Sequence, residues 1–210
     1  MTIHVEQTRG FITHLALPRA PLWRVAPALG LALALGACGG GGGDGVDSDA
    51  SVTACFTATK TVTFAIKATP PGASNVTRST VGPMTYRGQA VTGQTWFAGA
   101  ESFSQYWTVT DAGVTFVADV DSDGTATPSG GFLPKNMRPG QSVTDPSDGS
   151  VDTLVGFENI TLGGKTFSNT CHFRETDSQG GDALEVWYAP GYGQIKMTDS
   201  DATVQYNGDL

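Results

Sequence analysis

Apolar and polar residues alternate in short runs through most of the chain beyond about residue 60, and this period of two predicts β-strands. In "TVTFAIKA" (61–68), Val62, Phe64 and Ile66 share one face. "QTWFAG" follows a turn expected at Gly93. "SFSQYWTVT" (102–110) and "GVTFVADV" (113–120) flank Asp111-Ala112-Gly113, which reads as a hairpin turn. "TLVGFENITL" (153–162) and "KTFSNTCHF" (165–173) flank Gly163-Gly164, which suits a two-residue hairpin with left-handed backbone. "ALEVWYA" (183–189) and "GQIKMT" (193–198) flank Pro190-Gly191-Tyr192. Residues 124–150, rich in Gly, Pro and Ser, read as the longest loop region. No segment after the leader holds a helical period over 11 residues. The expected fold is all-β: an antiparallel meander of about nine or ten strands, curved into a barrel, half-barrel or sandwich so that its edges are protected.

One apolar run breaks this pattern. It extends from about Val25 to Leu35 and ends in Gly36-Ala37-Cys38, with Gly39 to Gly43 behind it. It is shorter than the about 20 residues of a membrane span. It has the length of a secretory signal core, and Arg9, Arg19 and Arg24 supply the positive flank. Leu35-Gly36-Ala37-Cys38 resembles a bacterial lipobox. That resemblance implies cleavage before Cys38, acylation of Cys38 by diacylglycerol and palmitate-type chains, and attachment to a membrane. An ordinary signal cut near Ala37 is the alternative. Residues 1–37 are then the signal peptide and 38–51 a lipidated cysteine with a glycine-rich tether. Residues 52–210 form a single β domain. A tether of about 12 glycine-rich residues reaches roughly 20 Å, and two or more acyl chains anchor stably where one does not. Gly39 stands where an aspartate would retain such proteins at the inner membrane. The expected location is the cell envelope, on the outer membrane, facing the periplasm or the surface.

Composition narrows the partners. Removing residues 1–37 takes away three arginines and Glu6, leaving nine basic against nineteen acidic residues and a net charge of −10. Nucleic acid, which demands a basic surface, is excluded as a partner, and so is electrostatic attraction to anionic lipid. The acidic residues are scattered (Asp111, Asp148, Glu158, Asp182, Asp209) and read as a solvated surface. With Cys38 assigned to lipid, Cys55 and Cys171 remain as an even pair in an oxidising compartment. They are expected to form a disulfide joining the first strand of the domain to a late one; two buried free thiols are the alternative.

Candidate chemistry is sparse. Beyond the leader the only histidine is His172. It follows Cys171 on an expected strand, so the two side chains point to opposite faces and cannot pair as nucleophile and base. His172 reads as an ordinary exposed strand residue. "GGKT" (163–166) imitates the end of a phosphate-binding loop, but Asn159 stands where that motif needs glycine, and a strand follows instead of a helix. "DVDSDG" (119–124) places Asp119, Asp121 and Asp123 as a weak metal candidate. Gly130 stands where a calcium loop needs its bidentate glutamate, so an acidic hairpin turn is the stronger reading. Glu175 with Glu185 could serve as a glycosidase pair only if space brings them together. Trp96, Trp107, Trp187, Tyr188 and Tyr192 could line a groove or fill a core, with Tyr192 the one expected to be exposed. No catalytic residue and no cofactor is expected.

"GFENITLGGKTFSNTCHF" and "EVWYAPGYGQIK" carry a second resemblance. Gly156, Glu158, Gly163-Gly164, Phe167, Cys171, the turn Trp187-Tyr188-Ala189-Pro190-Gly191-Tyr192-Gly193 and Ile195-Lys196 resemble a family of uncharacterised β-rich secreted proteins and lipoproteins of bacteria. The resemblance covers about residues 151–198. It implies a curved antiparallel sheet like that of half-barrel lipoprotein carriers, without an activity. The expected function is a non-enzymatic structural or binding module on an acyl anchor. The alternatives are an apolar-ligand or lipid carrier, if the sheet encloses a cavity, and a glycan hydrolase.

Overall fold

The computed structural model describes residues 50–178 and 183–210. The expected signal peptide, Cys38 and most of the expected tether lie outside the described residues. One short helix, α1 (Val52–Phe56), precedes β1 (Val62–Thr69), β2 (Arg78–Tyr86), β3 (Gln89–Ala98), β4 (Glu101–Val109) and β5 (Gly113–Val120). Three short strands follow: β6 (Ala126–Pro128), β7 (Phe132–Pro134) and β8 (Ser142–Thr144). The chain ends in β9 (Val151–Leu162), β10 (Lys165–Thr176), β11 (Leu184–Ala189), β12 (Gly193–Thr198) and β13 (Thr203–Asp209).

The protein is all-β. Its thirteen strands form one antiparallel sheet in the order β6-β5-β4-β3-β2-β1-β13-β12-β11-β10-β9-β8, with β7 on β5. The sheet is not closed and fits a curved sheet or half-barrel, with β6 and β8 at the ends of the strand order. Ten of the strands run six residues or more. The region 124–150, expected to be loop, holds the three short ones. The first and last strands meet in the middle, where Ile66 pairs with Tyr206 and Thr69 with Thr203.

Local chemistry sets the hairpins. Gly163 and Gly164 take φ +53° and +79°, the left-handed values of a two-residue turn. The turn expected at Gly93 is absent: Gly93 lies inside β3, and the turn falls at Arg87-Gly88. The reason for a glycine in mid-strand is packing. A Cβ there would lie 2.5 Å from Met84 Sδ and 2.7 Å from Tyr106 Cδ1.

The core fills the concave face, and α1 sits within it. Ser51 caps the helix through an Oγ that accepts from the Ala54 amide at 3.4 Å. Five residues cannot hold a helix alone; burial of Val52, Cys55 and Phe56 does so. The Phe56 ring touches Trp107 and Phe116 from one half of the sheet and Phe173 and Tyr188 from the other. Trp107 Nε1 donates to the Phe56 carbonyl at 2.8 Å. Cys55 and Cys171 are bonded, with Cα atoms 6.0 Å apart. The bridge therefore joins a helix to β10, correcting the expectation that Cys55 lies on a first strand.

Candidate functional site

The densest chemistry lies on the convex face of β9–β12. Register builds it. Cys171 and Phe173 of β10 point into the core, so His172 and Arg174 point outward. His172 pairs with Trp187, and Trp187 with Lys196. Arg174 pairs with Glu185. Glu158 on β9 stands one step away, opposite Thr170.

These groups satisfy one another. His172 Nε2 lies 2.7 Å from Glu185 Oε2, and Nδ1 lies 3.3 Å from Glu158 Oε1. Arg174 Nε donates to Glu185 Oε1 at 2.7 Å. Trp187 Nε1 donates to Glu158 Oε1. The His172 ring stacks on Trp187 with centroids 4.1 Å apart and planes 17° apart, and Lys196 Nζ lies 3.9 Å from the same indole. The His172 side chain is 18% exposed, so it is not the ordinary exposed strand residue expected. Its Nε2 is hydrogen-bonded to Glu185, and Nδ1 faces Glu158. Cys171, its neighbour, is in the disulfide on the other face. Arranged this way, the cluster ties four strands together.

A second cluster sits at one end of the half-barrel. Lys165 Nζ donates to Asp209 Oδ2 at 2.9 Å and to the Tyr192 hydroxyl, and it lies 4.0 Å from the Tyr192 ring centroid. Partial burial lowers the Lys165 pKa, but the bonds to Tyr192 and Asp209 outweigh this and leave it raised above 10.5. Asp209 is held below 3.8, chiefly by the hydrogen bond from Lys165. Burial raises Tyr206 above 10.0, and its bond to Asp209 adds to that. Tyr192, expected to be exposed, is half-buried among Phe64, Phe167 and Tyr206. Deeper inside, burial pushes Tyr188 well above 10.0, and the charges of Glu175, Asp152 and Asp119 add to the shift.

The remaining candidates do not converge. Glu175 pairs with Leu184 and Arg174 with Glu185, so Glu175 and Glu185 occupy opposite faces of the sheet and cannot flank one glycosidic bond. Asp119 stands in β5 beside Gln105. Asp121 and Asp123 lie in the following turn, where Asp123 Oδ1 accepts from the Thr125 amide at 2.8 Å and its pKa is lowered by that bond. Among the described residues no three ligating side chains gather to hold a metal. Lys165 of "GGKT" is committed to Asp209. Comparison with protein-family models, with curated proteins and with solved structures finds no match.

Proposed function

We propose that the chain is an envelope lipoprotein, acylated at Cys38, whose β domain is a non-enzymatic structural or binding module. The observation that supports this reading is the filled concave face. The space a carrier would offer to an apolar ligand is occupied by the chain's own α1, with Val52, Cys55 and Phe56 at 0–1% exposure. The acyl anchor rests on the lipobox and the glycine tether. Radiolabelled palmitate is expected to enter the wild type and not Cys38→Ser, and the labelled protein is expected to fractionate with the outer membrane. Equal labelling of both proteins overturns the anchor. A fluorescent fatty acid that saturates the unmodified domain at micromolar concentration overturns the filled-core reading in favour of a carrier.

A further inference from the structure

Strand β13 carries the chain's one Asn-Gly dipeptide, Asn207-Gly208. Its pairing with β1 breaks at that point. Phe64 faces Asp209 and Ile66 faces Tyr206, so Asn207 and Gly208 together stand opposite Ala65 alone. This is a β-bulge. Pairing with β12 has already ended at Gln205, which faces Lys196. Gly208 sits at φ +118°, where a side chain is disfavoured, and a Cβ built on it would meet nothing within 4 Å. Asn207 is exposed, and its side-chain amide has no hydrogen bond among the described residues. The other four asparagines differ. Asn75, Asn136, Asn159 and Asn169 precede Val76, Met137, Ile160 and Thr170, whose side chains shield the following backbone nitrogen. Asn159 is also held, since its Oδ1 accepts from the Asn169 amide at 3.0 Å.

The surroundings give a change at this dipeptide a consequence. The β9–β10 hairpin rests on it: a Cβ at Gly163 would lie 2.9 Å from Asn207 Cα and 3.0 Å from Gly208 N. Immediately after the dipeptide comes Asp209, which accepts from Lys165 at 2.9 Å. Lys165 is the first residue of β10 and leaves the same hairpin. One short stretch of β13 is therefore both the seat of the hairpin and half of the clasp that holds it.

We propose that Asn207-Gly208 is a site of spontaneous deamidation, and that its isoaspartyl product loosens this clasp. The Gly208 nitrogen attacks Asn207 Cγ. An N–Cγ bond forms, the Cγ–Nδ2 bond breaks, and the proton of the Gly208 nitrogen passes through solvent to Nδ2, which leaves as ammonia. The product is a cyclic imide, which water opens. Attack of water at Cγ gives an aspartyl residue. Attack at the main-chain carbonyl breaks the original peptide bond and gives an isoaspartyl residue, whose main chain runs through Cβ and Cγ. One water is consumed and one ammonia released, and no other reactant is needed. The isoaspartyl main chain is longer by one carbon. With Gly163 packed against the bulge, that carbon displaces the hairpin or carries Asp209 away from Lys165. The site is independent of the lipid anchor, so a failed palmitate experiment leaves it standing.

Ageing the folded full chain in mildly alkaline buffer tests it, beside the free peptide of residues 205–210. Heavy-oxygen water marks each deamidated asparagine in the peptide mass map, and an isoaspartyl methyltransferase counts the rearranged product. Asn207 is expected to react within about tenfold of the peptide's rate, because the bulge leaves it unprotected, while the other four asparagines stay intact in the same digest. Asn207→Gln is expected to abolish the reaction. The isoaspartyl fraction, purified from the aged protein, is expected to melt at least about 2 °C below fresh protein. Asn207→Asp carries the new charge without the longer main chain, and is expected to melt within about 1 °C of wild type. A rate in the folded chain more than about tenfold below the peptide's overturns the site. An isoaspartyl fraction that melts with fresh protein, or an equal drop in Asn207→Asp, overturns the loosening of the clasp.

Discussion

The convex face has two halves that treat polar groups in opposite ways. On β9–β12 the outward row alternates acid, imidazole, indole and cation, and each finds its complement on the next strand. On β2–β5 the outward row holds Gly93, Val91, Ala118 and two tyrosines, Tyr86 and Tyr106, so it buries apolar surface and leaves the Tyr86 hydroxyl without a partner among the described residues. One sheet, with the same alternation of faces, yields a closed wall and an open one. A strand fixes only which residues face outward. Whether that face is saturated depends on what the neighbouring strands place beside it.

The helix α1 joins these walls, and breaking its tether tests the comparison hardest. A Cys55→Ser/Cys171→Ser double variant removes a bridge that closes a loop of 116 residues, at an expected cost of about 2–5 kcal/mol. Urea unfolding measures the loss. Hydrogen exchange locates it: amides of β4 and β5, which reach the closed wall through Phe56, are expected to lose more protection than those of β9–β12. Equal loss in both would show that the two walls unfold as one unit.

Much of this architecture was legible in the sequence. The alternating runs mark eight of the ten long strands, all but β2 and β13, and Gly163-Gly164 and Pro190-Gly191-Tyr192 mark hairpins, because turn chemistry and strand period are local signals. The short helix was not, since five residues carry no period to detect. Gly93 misled because a glycine opening room for Met84 and Tyr106 has the same local appearance as a turn. The closed wall was out of reach for another reason. Its members come from four strands, and only the register of β10 against β9 and β11 brings Glu158 and Glu185 to the two sides of His172. The one available hint was the polar Glu185-x-Trp187 alternation beside His172-x-Arg174.

Within the closed wall, His172→Ala leaves Glu158 and Glu185 without their shared partner and uncovers one side of Trp187. The expected loss is about 1–3 kcal/mol in urea unfolding at pH 7. A loss below about 0.5 kcal/mol would mean that the ladder is surface decoration, and the contrast between the walls would weaken.

A smaller effect is expected at the end of the half-barrel. Asp209 has its folded pKa depressed, so its contribution is present above 3.8 and disappears as pH falls through the folded value. Lys165 is raised, so its contribution holds below 10.5 and disappears as pH rises past the folded value. The clasp thus acts between about pH 4 and 10. Because both side chains are at least one-third exposed, Asp209→Asn is expected to cost under about 1 kcal/mol at pH 7. At pH 2 variant and wild type are expected to melt together, and a difference that persists there assigns the effect to packing.

The smallest expected change separates the walls most sharply. Tyr86→Phe deletes a single buried oxygen, just as His172→Ala deletes a polar group, but here no partner among the described residues is left behind. Deleting half of a satisfied pair strands the other half and costs its desolvation; deleting an unsatisfied hydroxyl removes a burial penalty and strands nothing. The ring keeps its stacking on Tyr106, since the substitution leaves the aromatic face intact. Stability is therefore expected to stay within about 0.5 kcal/mol of wild type or to rise, as read from urea midpoints. A loss above about 1 kcal/mol would mean that the Tyr86 hydroxyl bonds to a buried water or a neighbouring group. The second wall would then be as closed as the first.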